Sequence, residues 1–130
     1  MASIGIERQT QLSYDDALAR LPELLKSEGF GIITEIDMRE TLKKKIGVDF
    51  RRYKILGACN PHFAHEALSQ DPSVGVFLPC NVAVYEGADG HAIVRAVDPS
   101  QMMATHESPA IAALAEKVRA RLDAVLQKLP

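Results

Sequence analysis

The chain has 130 residues, of which 47% are hydrophobic and 25% charged, and these values predict a single globular domain over residues 1–130. A net charge of −2 and an aromatic content of 5% argue against the strongly basic or aromatic surface that is typical of nucleic-acid binding. The N-terminus has no basic start followed by an apolar run, and no stretch approaches the roughly 18 apolar residues of a membrane span. We therefore expect a cytoplasmic protein with reduced cysteines and with neither nucleic-acid nor membrane partners.

The first part of the chain predicts a strand followed by an amphipathic helix. Residues 3–12 alternate loosely between apolar and polar side chains, which is typical of a strand. Ser13 has the position and the side chain of a helix N-cap, and leucines and alanines then recur at helical spacing. Pro22 lies inside this helix and should kink it, and Gly29 should end it.

A second strand and a short helix are predicted next. The strand covers residues 30–36, and Asp37 is the expected N-cap of a helix over residues 38–46. Leu42 and Ile46 should point from this helix toward the core. One face of the strand would carry Phe30, Ile32, Thr34 and Ile36.

The middle of the chain combines a third strand with a well-marked helix start. The strand is predicted over residues 52–58. Asn60 suits the N-cap of the following helix, and Pro61 suits its first position because that backbone N–H needs no partner. We expect this helix to end near Gln70.

The C-terminal half predicts three more strands and a long helix. Residues 74–78 and 81–86 are predicted strands, and the glycine-flanked segment 87–90 is the expected hairpin loop before a strand over residues 91–97. Ser108 caps the last helix. Its apolar stripe comprises Ile111, Leu114, Ala115, Val118, Leu122, Val125, Leu126 and Leu129. Strands joined by hairpins favour an α+β fold: a mainly antiparallel sheet of five or six strands with helices packed on it.

Several short motifs resemble a known family. They are Gly29-Phe30, Thr34-Glu35-Ile36-Asp37, Leu42-Lys43 with Gly47, Tyr53-Lys54-Ile55-Leu56-Gly57-Ala58-Cys59-Asn60-Pro61, Leu78-Pro79-Cys80-Asn81 and Asp98-Pro99. Over almost its whole length the sequence resembles the domain-of-unknown-function 302 family. The resemblance implies a homodimer and a curved sheet like that of the TATA-binding-protein fold. It brings no catalytic residue, and the fold alone does not imply DNA binding.

Two Cys-Asn pairs mark the candidate site, because each stands at a break between predicted elements. The chain has two cysteines, and both lie in these pairs. If the two breaks meet at one end of the sheet, the residues around them would bind a small ligand. The candidate ligand-binding residues are Cys59, Asn60, His62, Cys80 and Asn81, and Tyr85 and Glu35 are further polar candidates for such a pocket.

A soft transition metal is one possible cofactor of this site. The candidate metal ligands are Cys59, Cys80 and His65, and His62, Met102 and Met103 extend the set, which would also suit haem. Thiolate with thioether suits Cu(I), whereas thiolate with imidazole suits Zn²⁺. The spacing matches no standard metal motif.

Thiol chemistry is a second interpretation. Cys59 stands just before a helix N-terminus, where the positive end of the helix dipole favours the thiolate, and Cys80 would be its resolving partner. A third interpretation assigns both cysteines a purely structural role as small buried hydrophobic residues.

Enzyme motifs are absent from the sequence: no carboxylate pair is placed for acid–base work, and no nucleotide-binding or nucleophile-elbow pattern occurs. We therefore predict a homodimeric binding or sensing module around Cys59 and Cys80. The alternatives are a thiol-dependent enzyme that uses Cys59 and a structural domain whose last helix or sheet edge forms an interface.

Overall fold

The computed structural model describes residues 3–130. In this range the chain forms a five-stranded sheet, five α-helices and one 3₁₀ helix. The strands are β1 (Ile6–Ser13), β2 (Gly31–Asp37), β3 (Tyr53–Cys59), β4 (Cys80–Glu86) and β5 (His91–Ala96). The helices are α1 (Tyr14–Ser27), α2 (Met38–Ile46), α3 (Pro61–Gln70), α4 (Pro99–Met102) and α5 (Pro109–Gln127), and the 3₁₀ helix covers Pro72–Phe77.

The sheet has the strand order β1-β5-β4-β3-β2, and every neighbouring pair is antiparallel. The predicted α+β fold with a mainly antiparallel sheet and helices packed on it is confirmed. β4 and β5 form the predicted hairpin around residues 87–90. Because β3 and β4 are also neighbours, the end of β3 lies beside the start of β4.

The core lies between one face of the sheet and the helices α1 and α5. Side chains alternate along each strand, so Cys80, Val82 and Val84 of β4 and every second residue of β5 are buried beneath these helices. The predicted stripe of α5 is confirmed, since all eight of its apolar residues are buried. The strand residues in the core include Leu56, Ala58, Cys80, Val82, Val84, Ala92, Val94 and Ala96.

Helix starts follow the predicted capping residues. Side-chain oxygens of Ser13, Asp37, Asn60 and Ser108 each accept a hydrogen bond from a backbone N–H three residues on. These bonds satisfy donors that a helix N-terminus otherwise leaves without a partner. The predicted bounds of α2 and α3 agree with the structure at both ends.

One predicted strand is wrong: residues 74–78 lie largely in the Pro72–Phe77 3₁₀ helix. The Asp71 carboxylate accepts hydrogen bonds from both the backbone N–H and the hydroxyl of Ser73, at 3.0 and 2.6 Å. Pro72 fixes its own φ angle at the first position of the turn. This local capping prevails over the β propensity of the two valines.

The predicted apolar face of the second strand is interrupted by a register shift between Ile32 and Thr34. A bulge changes which side chains face the core, so Ile36 is 46% exposed. Ile46 of α2 is 68% exposed, which corrects the inward direction predicted for it. Every residue of α2 is at least partly exposed, because this helix packs at the sheet edge beside β2 and β3.

The second face of the sheet carries partly exposed side chains. Tyr53 and Tyr85 are register partners there, and their rings stack with centroids 5.0 Å apart. Ile36 and Ile55 are also directly opposite each other. Among residues 3–130, no helix is long and apolar enough to cross a membrane.

Candidate functional site

A partly enclosed cavity of about 60 Å³ lies where the end of β3 and the start of β4 meet α3, α4 and α5. Cys59, Asn60 and Cys80 reach this point because β3 and β4 are antiparallel neighbours. The lining is almost entirely apolar, with Asn60 as its polar member. Representative lining residues are Phe30, Phe63, Ala67, Leu78, Ile111 and Leu114.

Cys80 reaches the cavity from the helix-covered face of the sheet. It is the first residue of β4, pairs with Ala58 of β3 and is 8% exposed. Burial raises the pKa of the Cys80 thiol to about 11, and the nearby Cys59 acts in the same direction. Cys80 is therefore a protonated thiol at neutral pH.

Cys59 lies at the rim of the same cavity. It is the last residue of β3, pairs with Gly31 and is partly exposed. Strand alternation directs its side chain away from the face shared by Ala58 and Cys80. Both cysteines are free, so the two thiols differ in burial rather than in bonding.

Asn60 connects the site to α3. Its Oδ1 accepts a hydrogen bond from the Phe63 N–H at 3.3 Å, and the residue is 8% exposed. Its amide nitrogen packs against Gly29: a Cβ atom placed on Gly29 would lie 2.8 Å from that nitrogen. Gly29 also has φ +87, a backbone conformation that favours glycine. Asn60 therefore acts as a cap and a packing residue beside the cavity.

Three predicted site residues lie outside the cavity lining. His62 and His65 are exposed on α3, and Asn81 is exposed on β4. The Asn81 carbonyl accepts a hydrogen bond from the Val97 N–H at 2.9 Å, and this bond holds the residue that follows β5 against β4. Within residues 3–130, no group of three or more His, Cys, Asp and Glu side chains is placed to hold a metal ion. His65 is thus not assembled with the two cysteines.

The other polar pocket candidates are also engaged elsewhere. Glu35 forms an ion pair with Lys54 at 2.9 Å, and Tyr85 stacks on Tyr53 at the second face of the sheet. The interactions of both residues therefore lie away from the cavity.

Met102 and Met103 do line the cavity, and the α4 helix that places them was not predicted. The Asp98 carboxylate caps α4 by accepting a hydrogen bond from the Ser100 N–H at 2.9 Å, and Arg119 Nε of α5 donates to it at 3.0 Å. The Asp-Pro-Ser sequence is a capping signal, but a helix of four residues has no apolar periodicity by which to find it.

Two segments around the cavity are joined by Asp71 and His106. His106 Nδ1 accepts a hydrogen bond from the Ser108 N–H at 3.1 Å, so the ring proton is on Nε2, which donates to Asp71 at 2.8 Å. Hydrogen bonds from Ser73 and then from His106 lower the pKa of the Asp71 carboxyl to about 2. The pair connects the start of the 3₁₀ helix to the loop between α4 and α5.

Comparisons with known proteins agree with this fold. The sequence profile of the domain of unknown function DUF302 matches residues 6–129. The structure is similar to the crystal structure of an uncharacterized conserved DUF302 protein from Bacillus stearothermophilus, with a TM-score of 0.91 and 31% identity. That similarity covers 99% of this chain and 100% of the other. No curated protein matches the chain.

Proposed function

The chain belongs to the DUF302 family, and on that premise we propose that it is a single-domain binding or sensing module whose ligand occupies the cavity beside Cys59 and Cys80. The supporting observation is the cavity itself, to which β3, β4, α3, α4 and α5 all contribute. Apolar concave sites with one or two polar groups are typical of small-ligand binding.

The cavity volume limits the size of the ligand. A single water occupies about 10–15 Å³ by the same measure, and an apolar cavity of about 150 Å³ accepts benzene. At about 60 Å³ the cavity suits a metal ion, a ligand of a few heavy atoms or the apolar end of a larger one. The apolar lining favours a ligand with no net charge in its bound state, because an uncompensated charge would lose its hydration there.

A solution experiment with 1-butanol as the probe tests this proposal. Ala67 lines the cavity, whereas Ala113 is exposed on α5 outside it, so Ala67→Leu fills the site and Ala113→Leu is its matched control. We expect 1-butanol to raise the melting temperature of the wild type and of Ala113→Leu, and to have a smaller effect on Ala67→Leu. Equal shifts in all three proteins would place the alcohol elsewhere and overturn the proposal.

A thiol-dependent enzyme is the second candidate function. The asymmetry between a partly exposed Cys59 and a buried Cys80 supports it, because only an accessible thiol can act as a nucleophile. In that case Cys59 would react with the substrate at the rim of the cavity. Loss of turnover in Cys59→Ser, with 1-butanol binding retained, would favour this candidate over simple binding.

The homodimer implied by the family resemblance would use the second face of the sheet. Its apolar side chains are contiguous: Ile36 is opposite Ile55, and the ring centroids of Phe50 and Tyr53 are 6.1 Å apart. A symmetric dimer pairs one such patch with its copy. Ile36→Glu should therefore give a monomer in sedimentation analysis, while Val76→Glu, at an 82% exposed position on the 3₁₀ helix, should not. If the wild type is a monomer, the proposed dimer is wrong. If the Ile36→Glu variant is still a dimer, the interface lies on another surface.

A further inference from the structure

Sulfur-containing side chains are concentrated around the cavity. The chain has two cysteines and four methionines, and four of these six residues line this one site. We propose that the cavity is a binding site for the soft monovalent ion Cu(I), with Cys80, Met102 and Met103 as ligands and Cys59 at the rim. This inference rests on the proposed function and names the ligand class of the same site.

The sulfur-containing side chains at the cavity come from different parts of the fold. Cys59 ends β3 and Cys80 begins β4, whereas Met102 ends α4 and Met103 is its C-cap. The ion pair between Asp98 and Arg119 holds α4 against α5. The sulfur residues are therefore brought together by tertiary structure, since more than 40 residues of the sequence separate Cys59 from Met102.

Ligand softness favours Cu(I) over harder ions. Thiolate and thioether groups select Cu(I), whereas Zn²⁺ normally takes four ligands from cysteine, histidine and carboxylate side chains. Residues 3–130 contain no group of three or more such side chains placed to hold a metal. His62 and His65, which follow Cys59 in sequence, lie outside the lining, and so does His106, which follows Met103 and hydrogen-bonds to Asp71.

The net charge of the bound complex also favours Cu(I) over a divalent ion. Cu(I) bound to the deprotonated Cys80 carries no net charge, because the thiol releases one proton to solvent as the sulfur–copper bond forms. A divalent ion with the same single thiolate would leave one uncompensated positive charge in an apolar cavity, which is costly. The neutral thioethers of Met102 and Met103 complete the coordination without altering this balance.

Competition with the chromophoric chelator bicinchoninate, under anaerobic conditions, measures Cu(I) binding. We expect the wild type to withdraw one Cu(I) per chain from the chelator. The double substitution Met102→Leu/Met103→Leu keeps side-chain volume but removes both thioethers. It should weaken binding by at least about a hundredfold, because losing two direct ligands costs more than the ten- to hundredfold typical of losing a group that only supports a ligand.

Met38→Leu is the matched control, because Met38 lies on α2 away from the cavity. It should bind Cu(I) as the wild type does. A wild type that withdraws no Cu(I), or a double variant with wild-type affinity, would overturn the inference and leave the methionines as ordinary gap-filling residues. Binding of 1-butanol without Cu(I) would remove only this inference, whereas binding of neither would also remove the proposed function.

Discussion

Cys80 and Ala58 lie directly opposite each other across β4 and β3, on the face of the sheet that α1 and α5 cover. This register buries the Cys80 thiol, while Cys59, one residue beyond Ala58, remains partly exposed. The two cysteines of the chain thus have different environments although both line one cavity.

Alkylation should separate the two thiols. With its pKa raised to about 11 by burial, Cys80 is only about 0.1% thiolate at pH 8, and the thiolate is the reactive form. We expect iodoacetamide to modify Cys59 first and Cys80 much more slowly, as measured by mass spectrometry. The Cys59→Ser and Cys80→Ser variants each retain one cysteine, so they give the alkylation rate of the other thiol alone. Faster labelling of Cys80 than of Cys59 would contradict the burial of Cys80.

Asp71 should stabilise the fold in a pH-dependent manner. Its carboxyl pKa is lowered from 3.8 to about 2, so the unfolded chain binds the proton more tightly than the folded one. Its contribution to stability is complete above about pH 5 and is lost as the pH falls through 3.8 toward 2. The difference in melting temperature between wild type and Asp71→Asn should shrink over this range. A difference independent of pH would show that the carboxylate charge is unimportant.

A side chain at Gly57 should destabilise the fold. A Cβ atom there would overlap the Thr34 hydroxyl and come within 2.7 Å of the Pro79 ring. Gly57→Ala should therefore lower the free energy of unfolding by about 1–3 kcal/mol, as overpacking does. Gly31→Ala is the control in the same sheet: apart from Gly31 and its two chain neighbours, no described residue has a heavy atom within 4 Å of a Cβ there, and denaturant unfolding should show little loss. Equal losses would contradict the close approach at Gly57.

Substitutions at Asn60 should distinguish the stability that its capping oxygen contributes from the stability that packing of its amide group contributes. Removing the capping oxygen in Asn60→Ala should cost about 1 kcal/mol in unfolding experiments. Asn60→Ser keeps an oxygen that can accept from the Phe63 N–H, so it should recover most of that loss. If Asn60→Ser is as unstable as Asn60→Ala, then packing of the amide against Gly29 is the larger contribution.

Local signals explain why much of the fold could be predicted. Side-chain caps at Asp37 and Asn60 set the starts of α2 and α3, and Gly47 in the left-handed conformation ends α2. These effects act over three or four residues, so they are readable in sequence. The sequence left open whether the two Cys-Asn motifs meet, because that depends on β3 and β4 being neighbours in the sheet.

The remaining features depend on long-range packing. The bulge in β2 exposes Ile36, and α4 carries Met102 and Met103 to the cavity without any periodic pattern of its own. His62 and His65 lie on the helix that Asn60 caps, but the orientation of α3 leaves both exposed. Sequence spacing alone therefore could not distinguish the sulfur residues of the cavity from the histidines outside it.

The most direct test of the central claim is a crystal structure under xenon pressure, because xenon occupies apolar cavities without forming hydrogen bonds. We predict a xenon atom in the cavity beside Cys80, with little or none there in Ala67→Leu. A wild-type cavity that stays free of xenon, while other surface sites take it up, would contradict the claim that this cavity receives a ligand.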